Sequence, residues 1–296
     1  MKILITGGAG FIGSNLAMAL QGAHDITVLD NLSSGKKENL KGFHGSVIDG
    51  DIRNPATLKK AGTPDVIFHE AAVTDTTITD HAAMASVNVD GFANILNYAK
   101  SCGARVVYAS SASVYGNGPV PMREEQGAPL NEYALSKLKM DKIAMGCEAG
   151  IIGLRYFNVY GPREEGKGKT ASMIIQLARQ MLAGEKPRVF KYGEQVRDHI
   201  YVKDVVEANL RAMKAKQNCV VNVGTGKATS FNELVNMLNE TLQTSLEPEY
   251  IGNPYAAAYQ SNTQADTRKA EKLIGFKARY ALKDGVKDYF REIGLL

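Results

Sequence analysis

Lys2-Ile3-Leu4-Ile5-Thr6-Gly7-Gly8-Ala9-Gly10-Phe11-Ile12-Gly13 opens the chain as an apolar run that breaks into closely spaced glycines. The run reads as a buried strand and the segment from Phe11 onward as a helix. Glycines at 7, 10 and 13 suit a tight turn, a close approach of main chain to a pyrophosphate, and close packing of helix on strand. The helix start at Phe11 and Ile12 then offers unpaired N–H groups and a positive dipole end to the phosphates. Asp30 ends the second strand, about 20 residues on, where a carboxylate can accept the hydroxyls of an adenosine ribose. Asn31 joins it, and Asp51-Ile52, after the third strand, are placed to bracket the adenine; the alternative for Asp51 is a helix N-cap. A carboxylate at Asp30 favours NAD, because it would repel a 2′-phosphate. Lys36, Lys37 and Arg53 can offset that repulsion if they fold over the ribose, which keeps NADP open.

Outward from this turn, the first half alternates short strands with helices. Lys2–Thr6, Asp25–Asp30, Gly45–Gly50, Asp65–His69, Ala104–Ser110 and Ile151–Tyr156 are rich in Val and Ile. They are apolar on successive positions, as expected of parallel strands covered on both faces. Helices are predicted near 11–21, 55–61, 80–101 and 130–148. The alternation predicts an α/β, Rossmann-type, doubly wound parallel sheet with right-handed crossovers. Beyond Tyr156 a polar loop is followed by helices near 170–183 and 202–214, two short strands after Pro187, and a Cys219–Val223 strand. Helices near 230–243, 265–274 and 282–292 end the chain. The resulting division is a dinucleotide-binding domain over 1–156, with about 197–224 returning to it, and a smaller interleaved substrate-binding lobe over 157–196 and 225–296.

Composition excludes several classes. The 296 residues are 44% hydrophobic and 22% charged, ordinary for a folded chain and not for a disordered one. Thirty-five Lys and Arg against 31 Asp and Glu leave a net charge of +4 with no basic run, so nucleic-acid binding has no support. No apolar stretch reaches the roughly 18 residues of a membrane span, and the N-terminal run is too short for a signal peptide. Cys102, Cys147 and Cys219 are odd in number and never in CxxC spacing, against disulfides or a zinc site, and no metal is expected. The expectation is a cytoplasmic protein.

Tyr133-Ala134-Leu135-Ser136-Lys137 places Tyr133 and Lys137 four apart on one helix face. An ammonium near a phenol lowers its pKa from ~10. The phenolate can then take a hydroxyl proton while hydride leaves the same carbon for a nicotinamide. Ser110-Ser111-Ala112-Ser113 closes the fifth strand, at the sheet edge where open α/β folds bind ligands.

These motifs resemble the extended short-chain dehydrogenase/reductase superfamily, in its nucleotide-sugar epimerase and dehydratase branch. His69-Glu70-Ala71-Ala72, Arg155–Arg163 and Arg197-Asp198-His199-Ile200-Tyr201-Val202 complete the resemblance over about 200 residues. It implies that Ser111, Tyr133 and Lys137 are catalytic, that Ala71 and Ala72 lie against the cofactor, and that Arg197 grips the substrate diphosphate. The alternative for Arg197 is a buried pair with Asp198 or Asp204. Dehydratases of the branch carry Asp-Glu where this chain has Ala112-Ser113, which disfavours dehydration. The match narrows to the ADP-glycero-manno-heptose 6-epimerases at Arg155–Glu164, Lys167, Ala171-Ser172, Ala72 to Thr77, and Tyr259 to Asp266. That resemblance implies transient oxidation and re-reduction at C6″ with bound NAD(P), and Lys167 as a second acid/base, with Lys169 competing for the role. Asn158 and Ser172 would line the substrate pocket. The bland alternative is that Glu164, Glu165, Lys167 and Lys169 form a solvated charge run. Ala256-Ala257-Ala258 lacks the arginine that many relatives place near 258. Asn31–Gly35 is also similar to UDP-galactose 4-epimerases, which keeps that activity, or a nucleotide-sugar dehydrogenase, as the alternative. Predicted helices near 80–101 and 130–148 suggest a homo-oligomer.

Overall fold

Successive side chains of the central strands feed two different cores, which is why those strands are apolar at every position. Ile3 and Ile5 face one core and Leu4 the other; Val107 and Ala109 oppose Val106 and Tyr108 in the same way. The computed structural model describes residues 1–75, 80–147, 150–215, 217–254 and 259–296. Its main sheet contains β1 (Lys2–Thr6), β2 (Asp25–Asp30), β3 (Ser46–Asp49), β4 (Val66–His69), β5 (Arg105–Ser111), β6 (Ile151–Tyr156) and, from far along the chain, Cys219–Val223. All ladders in it are parallel, and the strand order reverses between β1 and β4.

Helices α1 (Phe11–Leu20), α2 (Pro55–Lys59), α3 (His81–Ala85), α4 (Gly91–Cys102) and α5 (Glu132–Met145) belong to this first half. The single helix expected over 80–101 is continuous in its helical backbone but widened at one point. A wide π turn at Ser86–Asp90 separates α3 from α4. Asn88 within it is buried, and its amide pairs with both Val73 main-chain groups (2.8 and 3.0 Å) and donates to Ser136 (3.0 Å). A single wide turn of this kind aims one side chain inward without ending the helix. Asn131 caps α5 by accepting from the Ala134 N–H at 2.9 Å.

Beyond β6 the chain forms β7 (Asn158–Tyr160), α6 (Met173–Leu182), β8 (Arg188–Phe190), β9 (Val196–Arg197), β10 (His199–Tyr201) and α7 (Val202–Ala212). Cys219–Val223 is β11, followed by β12 (Thr229–Ser230), α8 (Phe231–Leu242), β13 (Glu249–Ile251), α9 (Arg268–Ile274) and α10 (Leu282–Glu292). Within the returning segment, α7 packs on the sheet and β11 pairs with β6, whereas β9 and β10 pair with β12 and β7. Helices α6, α8 and α10 close a separate apolar core that Phe11 also enters. Among the described residues no helix is long and apolar enough to cross a membrane.

A buried ion pair fixes α5 to the sheet. Arg155 Nε donates to Asp141 at 2.9 Å, with both side chains about 5% exposed or less. Tyr108 donates to the other Asp141 oxygen, and Arg155 also donates to the Glu124 carbonyl at 3.0 Å. Removing one partner strands a buried charge. Arg155→Ala should therefore lower unfolding stability in urea by about 3–5 kcal/mol; a loss below ~1 kcal/mol would show that the pair does not hold the helix.

Candidate active site

At the strand-order reversal the ends of β1 and β4 come close together. Gly7 adopts φ +69°, and a Cβ there would lie 2.5 Å from the Ala71 nitrogen. A Cβ at Gly13 would lie 2.3 Å from the Gly7 carbonyl oxygen. Both positions therefore require glycine, and Gly10 stands as the extended N-cap of α1. Asp30 closes β2 with its carboxylate fixed at both oxygens, accepting from the Ala9 N–H (2.9 Å) and the Leu32 N–H (2.8 Å). This side-chain-free cradle at a helix N-terminus, with a carboxylate beside it, fits a dinucleotide. Asn31 and Asp51 meet at 3.4 Å. Asp51 is not a helix cap: Asn54 caps α2, and Asp51 instead binds Arg53 through Nε (3.0 Å) and Nη2 (2.6 Å). That guanidinium holds the Asp51 carboxyl below its ordinary range and commits Arg53 away from Asp30. Lys36 and Lys37 are exposed, and Ile52 packs its side chain into the core beneath α4.

Ser111, Tyr133 and Lys137 converge beyond the end of β5. Lys137 is 1% exposed; its Nζ donates to the Ala109 carbonyl at 2.7 Å and lies 5.9 Å from the Tyr133 ring centroid. Burial brings its pKa down to about 8, against the opposing pull of Glu70 and Asp141. The Tyr133 phenol is pushed up rather than down, because burial outweighs the hydrogen bond from Ser111 and Glu70 adds to it. The lowering expected from the lysine is thus not the dominant influence in this arrangement. Ser113 donates to Ser111 through its hydroxyl (2.9 Å) and N–H (3.2 Å), leaving the Ser111 O–H to donate onward.

Glu70, directly after β4, is a site residue to which the sequence pattern assigns no role. It accepts from the Tyr156 phenol at 2.9 Å, and Tyr156 accepts from Asn209 at 2.8 Å. Burial raises the Glu70 carboxyl to about 7, against the influence of Tyr156 and Lys137. His69, paired with Thr6 at 2.7 Å, is driven down to about 3 by burial and by Lys137, and so is neutral. The signal for Glu70 was an acidic residue closing an apolar strand.

On the substrate side the structure departs from two of the alternatives left open by the sequence. Glu164 is fully buried, so the 164–169 run is not a uniformly solvated face. Its carboxylate accepts from Gly161 N–H and from both the N–H and hydroxyl of Ser172. Lys167 sets its Nζ 5.4 Å from the Phe11 ring centroid; burial lowers its pKa and Glu164 raises it. Lys169 is exposed. Arg197, in turn, pairs with neither Asp198 nor Asp204. Its Nη1 donates to the Val196 and Ser261 carbonyls, and its guanidinium lies between Tyr259 (4.8 Å) and Phe231 (5.8 Å). Asp198 instead accepts from Thr225, Gly226 and Ala265, and Asp204 from Arg279 and Tyr280. Asn158 accepts from Thr263 at 3.1 Å. Thr76, Thr77 and Ala256–Ala258 lie outside the described residues.

The sequence matches the NAD dependent epimerase/dehydratase family over residues 3–224. The chain belongs to this family. Within it, the chain is 38% identical to an ADP-L-glycero-D-manno-heptose-6-epimerase of Brachyspira hyodysenteriae, covering 97% of this chain and 96% of the relative. The Helicobacter pylori enzyme of the same name superposes with a TM-score of 0.93 at 42% identity, covering 99% of this chain and 96% of that one. A UDP-glucose 4-epimerase of Thermotoga maritima, solved with UDP-glucose, gives 0.91 at 32% identity, covering 99% of each chain. These relatives are nucleotide-sugar epimerases, that is, isomerases. The glycine cradle and the Ser111, Tyr133 and Lys137 set occupy the matched region.

For an epimerase/dehydratase family member with a carboxylate at Asp30, beside the glycine cradle, the nicotinamide extracted from denatured protein should be NAD. Asp30→Ser should raise the share of NADP taken up when both are offered. Predominance of NADP in the unmodified protein, or an unchanged preference in the variant, would remove Asp30 from that selection.

Proposed function

We propose that this protein inverts the sugar of a nucleotide-activated sugar, and that its substrate is an ADP-glycero-manno-heptose epimerised at C6″. The observation that carries this reading is that two near-full-length relatives, at 38% and 42% identity, bear that enzyme's name. NAD fits the cradle of Gly7, Gly10, Phe11, Ile12 and Gly13, with Asp30 and Asn31 at the ribose, Asp51 and the Ile52 main chain near the adenine, and Ala71 and Ala72 beside it. When bound it supplies reversible hydride acceptance.

The protein's own groups handle the proton. Tyr133 takes the C6″ hydroxyl proton and returns it, Ser111 donates to the reacting oxygen, and the Lys137 ammonium, still charged near neutral pH, favours the phenolate. Lys167 serves the other face of the carbon as the second acid/base. Partial burial lowers its pKa, which raises the share of free amine available near neutral pH. Asn158, Ser172 and Lys169 line the sugar pocket. Arg197 uses guanidinium donors other than Nη1 for the diphosphate. In this reading residues 1–156, with α7 and β11, hold the cofactor, and 157–196 with 225–296 hold the substrate. The working form is a cytoplasmic homo-oligomer with no nucleic-acid or membrane partner.

A 4-epimerase is the second reading, favoured by the 32% identical UDP-glucose enzyme. Substrate deuterated at C6″ separates the possibilities. The epimer formed should keep its deuterium, and Tyr133→Phe should slow its formation by about 10²–10⁴ with bound nicotinamide unchanged. Inversion at C4 of UDP-galactose with no action on the heptose would install the 4-epimerase; net release of a reduced cofactor would install the dehydrogenase.

A further inference from the structure

A loop that must present a lysine needs its two ends fixed, and here one buried carboxylate fixes both. Glu164 lies between β7 and α6 with 0% exposure. Its Oε1 accepts from the Gly161 N–H (3.1 Å) and the Ser172 hydroxyl (2.8 Å), and its Oε2 from the Ser172 N–H (2.6 Å). Gly161 leaves β7 and Ser172 enters α6, so the side chain ties the exit of one element to the start of the next. The main chain continues the link: Lys167 N–H donates to the Glu164 carbonyl at 2.9 Å, and the Thr170 hydroxyl donates to the Lys167 carbonyl at 3.0 Å. The lysine then stands over Phe11, at the head of the helix that borders the cofactor cradle.

We infer that Glu164 is a positioning residue for Lys167, closing the 161–172 loop so that the ammonium is held at the head of α1. The inference rests on the reading of Lys167 as the second acid/base. The carboxylate is specifically required. An amide offers one acceptor oxygen and an NH₂. In Glu164→Gln one orientation sets that NH₂ against the Ser172 N–H and keeps only the Gly161 N–H and Ser172 hydroxyl bonds. The other sets it against the Gly161 N–H, so at least one of the three bonds is always lost and a donor is left facing a donor. Aspartate is one methylene too short to reach both ends.

The test measures kcat, KM and bound nicotinamide for Glu164→Gln, Lys167→Ala and the double variant. Misplacing a reacting group by about 1 Å costs on the order of 10²-fold. Glu164→Gln should therefore lose about 10²-fold in kcat, with KM and bound nicotinamide within about twofold of the parent. The double variant should be no slower than Lys167→Ala, because both changes remove one function. A Glu164→Gln enzyme at parental kcat beside a crippled Lys167→Ala would overturn the positioning role and leave the acid/base reading standing. A parental Lys167→Ala would overturn that reading and the inference with it. Losses that multiply in the double variant would show Glu164 acting apart from Lys167. Should Glu164→Gln fail to fold, Ser172→Ala removes only one of the three donors and should lower kcat by a smaller factor, whatever its effect on KM as a pocket residue. A parental kcat in Ser172→Ala would overturn the inference.

Discussion

The space that a side chain at position 13 would need is already filled by the carbonyl oxygen of Gly7, and the rest of the site is arranged around that closeness. The Gly7 N–H donates to Leu29 on β2, its carbonyl accepts from Gly10, and its α-carbon stands against Ala71 beyond β4. Ala9, one turn further, donates to Asp30 and accepts from both Lys36 N–H and the Asn39 amide. One glycine turn thus joins β1, β2, β4 and α1 at the point where strand order reverses. Any wider turn would separate the Asp30 carboxylate from the N-terminus of α1.

The chemistry stands on a polar layer under α5. Lys137 and Asp141 lie on the helix face turned to the sheet, one on the Ala109 carbonyl and the other on Arg155 and Tyr108. Burying such charges is unfavourable unless each is hydrogen-bonded, and here each is. Asn88 and Ser136 lock the same helix from its other flank. Glu70 reaches Tyr156 from the end of β4. Its charge favours the Lys137 ammonium and the ammonium favours its ionisation, but burial prevails at both, raising Glu70 to about 7 and lowering Lys137 to about 8.

Much of this was legible because it is local. Each strand of the first half announced itself through consecutive Val and Ile, and the glycine turn and the Tyr133–Lys137 spacing are short-range patterns. What was not legible depends on distant partners. The π turn in the 80–101 helix follows from Asn88 reaching Val73 and Ser136, which no window of that helix contains. Glu164 looks like one more charge in a polar loop until Gly161 and Ser172 fold around it. Arg197 adjoins Asp198 in sequence, yet Arg197 donates to Ser261 while Asp198 accepts from Thr225, Gly226 and Ala265, partners that no local window contains. The small β7–β10, β8–β13 and β9–β12 pairs join segments far apart in the chain and carry no local signature.

Gly13→Ala tests the central constraint most directly, since it adds one methyl group 2.3 Å from the Gly7 carbonyl oxygen and 2.8 Å from the Gly8 α-carbon. The measurement is the nicotinamide bound per chain after extraction, alongside far-UV circular dichroism to confirm the fold. The predicted result is a folded protein stripped of its cofactor, because the turn must open to admit the methyl. A folded variant that keeps its full complement of NAD would contradict the account, since the closeness of these glycines would then not be what seats the dinucleotide.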